Sequence, residues 1–509
     1  MENTKKVKVC LIHPQNNYYT NKMVDNTERG PHLGLGYIAA YLQIHNVEAT
    51  IIDGFRDNLT NDEIIIKATS EKYDIYGLSL YNTTFNDGLY IIKGIKKCIN
   101  CYIILGGHFA TFNASELLKK YSYIDCVIKG EGEETFLELC EKFSNNEDLT
   151  NIPNLVIRDR KTSIIYDNEC RPLIQNLDKL PFPANNNLMN MVSYIIASRG
   201  CYGNCSFCSI QKFYRQQPGN PFRCRSVENV VDELEYLVYT FKKNVFTFND
   251  DNFFVVDKIS SKWTEKFVTE LKKRQLLINF TIKCRPNDIC SEKIKILKTV
   301  GLKHVSFGVE SAVPSILKRY RKNIDVNISK KAIVILIKEK VSFDFGFILF
   351  DPFLTLEDFI CNMNFFKEIK YWQLGIYNRP ISLFPELVVT DGTDILNEIR
   401  KNNLIKDKNN YFYTYYFKDT RVQILYDYFI KWRELVNSVN KLNLLHLYTI
   451  EKSKKRILNL SKEFFYIDYE FLYHLSMLIK DNSTANKLDD LYSLYSNNLI
   501  LIRNELIGE

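Results

Sequence analysis

The chain has 509 residues, 46% of them hydrophobic and 25% charged, which is enough for about three ordinary globular domains. Its net charge of +7 is spread along the whole length, and no dense basic block marks a nucleic-acid or membrane surface. The apolar stretch 7–12 is too short for a signal-peptide core, and no uncharged apolar run approaches the ~20 residues that span a bilayer. A cytoplasmic protein is therefore expected, and its thirteen cysteines point to metal binding or reactivity rather than a disulfide framework.

In chain order, VKVCLI (7–12) is a short, β-branched apolar run and predicts a buried strand. GLGYIAAYLQIHN (34–46) has apolar residues at helical spacing, and EATIID (48–53) reads as the next strand. A helix over 62–70, a strand at DIYGLSLY (74–81), a helix over 88–98 and a strand at CYIILGG (101–107) follow. CVIKGEGEE (126–134) adds a strand, a turn and the start of a helix. This alternation predicts a doubly wound, Rossmann-like α/β domain with a parallel sheet, whose ligand sits beyond the strands' carboxyl ends. An apparent hairpin, LVIRD then SIIYD, leads into the Pro- and Asn-rich connector LPFPANNNL (180–188).

A second series begins near 191, with candidate strands VSYIIAS, NVFTFN, INFTIK, HVSFGVE, FDFGFILF and QLGIYN separated by helical stretches. Six strand–helix units suit a partial (β/α)6 barrel with its active site at the carboxyl ends. Beyond about residue 402 the pattern is helical and rich in Tyr, Leu, Lys and Asn. The aromatic run from Tyr411 to Phe417 is read as core of a helical cap that closes over the barrel mouth. The expected organisation is thus 1–150 as the Rossmann-like domain, 151–190 as linker, 191–400 as barrel and 401–509 as a helical C-terminal domain.

RGCYGNCSFC (199–208) places Cys201, Cys205 and Cys208 in a C-x3-C-x2-C loop after the first barrel strand. Three thiolates so spaced reach three corners of one iron–sulfur cube and leave the fourth iron open. With Phe207 before the last cysteine, the loop resembles the defining motif of the radical S-adenosylmethionine (radical SAM) superfamily. The resemblance implies a 4Fe–4S cluster whose open iron binds S-adenosylmethionine, and reductive cleavage to a 5′-deoxyadenosyl radical. FNDDNFF (248–254), KCRPNDI (283–289), FGVESA (307–312) and LKRYRKN (317–323) extend the likeness. They imply that Phe207, Asp250, Asp251, Glu310 and Arg321 contact S-adenosylmethionine. The turns at FILFDPFLTLED (347–358) and FPELVV (384–389) depart from the family pattern, so substrate contacts are not carried over.

The first domain also resembles a family. PHLGLGYIAAYL (31–42), LGGHFAT (105–111), KGEGEETF (129–136) and LPFPA (180–184) resemble the cobalamin-binding-domain class of radical SAM enzymes. This implies a corrinoid held by Gly106, Gly107, His108, Gly130 and Glu131, with Ser79, Tyr81, Asn82 and Thr83 near its nucleotide tail. The D-x-H-x-x-G loop of cobalamin mutases is missing around His13, so no protein histidine is expected on cobalt. Cys98-x2-Cys101 is read as packing. Together the resemblances imply a methyltransferase acting on an unactivated carbon of a small metabolite or peptide, fed electrons by a donor such as flavodoxin or ferredoxin. A cobalamin-containing radical cyclase, rearrangement or oxidation enzyme is the alternative, and a non-catalytic iron–sulfur and corrinoid sensor a second. Neither membrane nor nucleic-acid partners are expected.

Overall fold

The computed structural model describes residues 6–16, 30–184, 193–374, 386–408, 412–440 and 454–507. Seven strands form the first sheet: β1 (Lys8–His13), β2 (Glu48–Asp53), β3 (Ile75–Ser79), β4 (Tyr102–Gly106), β5 (Cys126–Ile128), β6 (Leu155–Arg158) and β7 (Ile165–Asp167). Their order is β2-β1-β3-β4-β5-β6-β7, parallel through β5. Alternate residues of β1 enter opposite cores. Cys10 and Ile12 pack on one face, Val9 and Leu11 on the other, as a sheet with helices on both sides requires. The chain order reverses between β1 and β3, which opens a crevice at the carboxyl ends there.

Two features of the first domain differ from expectation. A helix, Gly107–Lys120, starts directly at the end of β4. The hairpin expected in the linker instead extends the first sheet, with β6 antiparallel to β5 and β7 antiparallel to β6. It covers backbone groups that β5 would otherwise leave unpaired at an edge.

The second sheet holds β8 (Ser193–Ile195), β11 (Val245–Phe248), β12 (Asn279–Cys284), β13 (Leu302–Glu310) and β14 (Ser342–Phe347), all parallel and in chain order. Of the expected sixth strand QLGIYN, residues 375–378 lie outside the described residues, and Gln373 ends a short 3-10 turn. A ribbon of β9 (Ser198–Arg199) and β10 (Arg223–Cys224) stands between β8 and β11 in sequence.

The C-terminal region is helical, as expected. The helices Thr420–Asn440, Lys454–Lys480 and Ala485–Ile507 pack on one another and on the helix Leu356–Glu368, and they share the barrel's core. The segment that reaches toward the cysteine loop comes earlier, where Leu387, Val389 and Ile395 pack on Phe207. That segment ends in a small hairpin, β15 (Ile405–Lys408) with β16 (Tyr413–Tyr415), which the pattern did not reveal. In the aromatic run Phe417 is core whereas Tyr416 is half exposed; Tyr411 lies outside the described residues.

Candidate functional site

The cysteine loop begins at a turn that only glycine permits. Gly200 has φ +85, and a Cβ there would lie 2.0 Å from the Pro221 carbonyl oxygen. The loop is then pinned from three sides. Ser206 N–H donates to the Tyr320 carbonyl at 2.9 Å, Ser206 Oγ donates to the Arg319 carbonyl, and Ile395 N–H donates to the Ser206 carbonyl at 2.9 Å. From the end of β12, Asp288 accepts from Tyr202 Oη at 2.8 Å and from Asn252 Nδ2 at 2.9 Å. Phe207 lies edge-on to Tyr320, with centroids 5.3 Å apart.

The three thiols stand within electrostatic reach of one another. Burial pushes Cys208 up to about 12, and the thiols of Cys205 and Cys201 raise it further. Burial raises Cys201 as well. Metal coordination is what deprotonates such thiols. Two sulfurs already have donors, since Gly203 N–H lies 3.3 Å from Cys201 Sγ and Arg285 Nη1 3.4 Å from Cys205 Sγ. Among the described residues no three ligating side chains converge on one ion, but a cube is held at three separate irons and needs no such convergence. The donor set fits a 4Fe–4S cluster. Arg285 was not singled out from the sequence, although its motif was; its reach to Cys205, 80 positions away, exists only in the fold.

The acidic candidates separate. Asp250 is buried and its carboxylate is committed to the Ala197 N–H and Ser198 Oγ. It braces the strand end rather than facing the cleft. Asp251 does line the cleft; burial pushes it up to about 6, against the Gly200 N–H that holds it down. Glu310 accepts from Lys322 Nζ at 2.9 Å. Arg321 turns outward with φ +50 and pairs with Asp394 at 2.6 Å, so the buried cation beside Glu310 is its neighbour Lys322. Spacing alone could not choose between these two adjacent cations.

Between the two sheets lies a cleft of about 250 Å³. The first domain contributes Ser79, Tyr81, Gly106, Gly107, His108, Gly130 and Glu131, and the barrel side contributes Arg199, Phe213, Tyr214, Asn249 and Asp251. Gly107 has φ +88, whereas a Cβ on Gly106 would meet nothing within 4 Å. The Gly106 edge is therefore open to a bulky ligand, with an apolar floor from Leu105 and Ile128, and this fits a corrinoid. Asn82 and Thr83 do not line the cleft, and Thr83 Oγ1 instead accepts from Asn16 Nδ2 at 3.0 Å. Glu131 lines the cleft with its carboxylate engaged by arginines.

His13 is paired through Nδ1 with Asp53 Oδ1 at 2.9 Å and does not line the cleft. His32, to which the sequence assigns no role, does; its Nδ1 caps the following helix by accepting from Leu35 N–H. Cys10 and Cys101 are buried in the sheet core and Cys98 is exposed.

His108 stacks on Phe213 at 4.0 Å, and burial pulls its pKa from 6.5 down to about 4. The unfolded chain takes up this proton near pH 6.5 and the folded chain only near 4, so the stability it contributes is full above 6.5 and declines as pH falls toward 4. His108→Gln is expected to flatten the pH dependence of the urea midpoint across that window. An unchanged slope would mean that His108 is solvated in the folded protein.

Comparison with known proteins gives the same two halves in the same order. The B12 binding domain model matches residues 26–140 and the Radical SAM superfamily model residues 195–365. The cobalamin-dependent S-adenosylmethionine radical enzyme OxsB superposes with a TM-score of 0.77 at 17% identity, covering 100% of this chain and 80% of that one. An anaerobic magnesium-protoporphyrin IX monomethyl ester cyclase of Rubrivivax gelatinosus is 27% identical over 65% of this chain and 60% of its own length. An uncharacterized methyltransferase of Pyrococcus horikoshii is 31% identical over 386 residues, 73% of this chain and 81% of that protein. Identity at that level through both domains decides the matter: the chain belongs to the cobalamin-binding-domain class of radical S-adenosylmethionine enzymes.

Proposed function

We propose that this enzyme transfers a methyl group to an unactivated carbon of a small metabolite or peptide. The observation that carries the reading is a single cleft lined both by the glycines at the carboxyl edge of the first sheet and by Arg199, Asn249 and Asp251 next to the cysteine loop. When bound, the cluster and S-adenosylmethionine supply a carbon-centred radical, and the corrinoid supplies a methyl group.

The chain's own residues divide the remaining work. Cys201, Cys205 and Cys208 would hold the cluster, and the Arg285 guanidinium, which donates to the Cys205 sulfur, would place positive charge beside it. Asp251 and the Glu310–Lys322 pair are our candidates for the polar ends of S-adenosylmethionine. Gly106, Gly107, Gly130 and His108 form the corrinoid side. Phe213 and Tyr214 wall the cleft and keep water from a reactive radical.

We place the enzyme in the cytoplasm, with a flavodoxin or ferredoxin as donor. All thirteen cysteines are free and no described helix is long and apolar enough to cross a membrane. The similarity to the Rubrivivax cyclase supports the second reading, a radical cyclase without methyl transfer. Anaerobic turnover of methyl-labelled S-adenosylmethionine with candidate substrates is expected to yield 5′-deoxyadenosine together with labelled product. 5′-Deoxyadenosine with an altered but unlabelled product would select the cyclase reading.

A further inference from the structure

A cluster of four buried charges joins the two domains. Arg199 on β9 and Arg223 on β10 are direct partners in the ribbon. Glu131 Oε1 accepts from Arg199 Nη1 and from Arg223 Nη2, both at 2.9 Å, and its Oε2 accepts from Arg223 Nη1 at 2.8 Å. Glu133 Oε1 accepts from Arg199 Nη2 at 2.7 Å. All four side chains are buried, with relative exposures of 9% or less. The backbone adds to the join, because Glu131 N–H donates to Gln217 Oε1 at 2.9 Å. Gly130 at φ +70 brings the loop so close that a Cβ would lie 2.1 Å from that same oxygen.

The position of this cluster is more telling than its strength. Arg199 stands two residues before Cys201, so at most about 7 Å of chain separates it from the first cluster ligand. Glu131 sits on the loop after β5 and Glu133 begins the helix that follows, and both line the corrinoid cleft. Two cations and two anions cancel, which makes burial tolerable, yet apolar residues of equal volume would stabilise the interface as well or better. What ion pairs add is a fixed register, and the bidentate arginine fork adds a fixed angle. Chemistry passed between two separately bound cofactors depends on that register, since a displacement of ~1 Å can cost on the order of a hundredfold in rate.

We infer that Arg199 and Glu131 are positioning residues that set the distance and orientation between the iron–sulfur cluster and the corrinoid. This rests on the two-cofactor reading above. It says nothing of which substrate is methylated, so it is testable before the substrate is known.

The test uses the full chain reconstituted with iron, sulfide and cobalamin, then reduced so that both centres are paramagnetic. Their dipolar coupling is read by pulsed EPR. The wild type is expected to give one narrow distance distribution. Arg199→Lys, which keeps the charge but loses the fork, and Glu131→Gln are expected to lose that single distribution while still binding iron and corrinoid. Glu133→Gln, which removes one pair only, serves as the milder variant if either of these fails to fold. An unchanged distribution in variants loaded with both centres would overturn the inference. Selective loss of corrinoid with the cluster intact would also overturn it, by making Glu131 a ligand contact. A wild type that binds no corrinoid would remove the two-cofactor reading, and this inference with it.

Discussion

Cys205→Ser is expected to reduce the iron bound after anaerobic reconstitution from about four atoms per chain to less than one, and to take S-adenosylmethionine cleavage to background. The folded chain should survive the change. The loop is held by Ser206 to the Tyr320 and Arg319 carbonyls and by Ile395 to the Ser206 carbonyl, and none of these bonds uses a thiol. The melting temperature of the apoprotein should therefore stay close to wild type while the 4Fe–4S absorbance disappears. Cys98→Ser, at an exposed helix end, is the matched control and should keep both iron and cleavage. Full iron in the Cys205 variant would move the cluster elsewhere in the molecule.

The second large effect separates two adjacent glycines. Gly106 has extended backbone with φ −149, which any residue adopts, and its Cβ would project into open space. Gly106→Leu is thus expected to leave the fold intact and fill the cleft, weakening cobalamin binding by at least about a hundredfold, or ~3 kcal/mol. Gly107 is the opposite case. At φ +88, with a Cβ only 2.9 Å from the Leu80 carbonyl oxygen, Gly107→Ala should cost roughly 1–2 kcal/mol of stability through backbone strain. Equilibrium dialysis with cobalamin alongside thermal unfolding distinguishes the two. A Gly106→Leu chain that still binds cobalamin tightly would remove that edge from the ligand site.

Local features were legible without a structure. Strand–helix alternation, the cysteine spacing and the glycines at strand ends are patterns spanning a few residues, and the structure realises them near where they were read. The helix starting at Gly107 leaves no signal in the chain, because Gly-Gly at a strand end reads as a loop, whereas here the two glycines form the strand-to-helix turn itself. The hairpin over 155–167 reads as linker because nothing in its sequence reveals that β5 has a free edge to pair with. Asp250 and Asp251 are neighbours with the same side chain, and strand-end geometry sends one to the Ala197 backbone and the other to the cleft. Arg321 and Lys322 divide in the same way, because left-handed backbone at Arg321 turns one cation out while the next is buried against Glu310.

The family, its two-domain order and the cofactors that the resemblance implies were legible in the chain, because the motifs that carry the resemblance are residue types at short spacing along one loop or strand. Which charges meet is set by the closing of the fold. The Arg285–Cys205, Lys322–Glu310 and Arg199–Glu131 contacts join elements whose relative placement comes from sheet twist, from the register of parallel strands and from two cores closing against each other. That placement is a property of the whole fold's packing free energy, and it leaves no periodic trace in the chain.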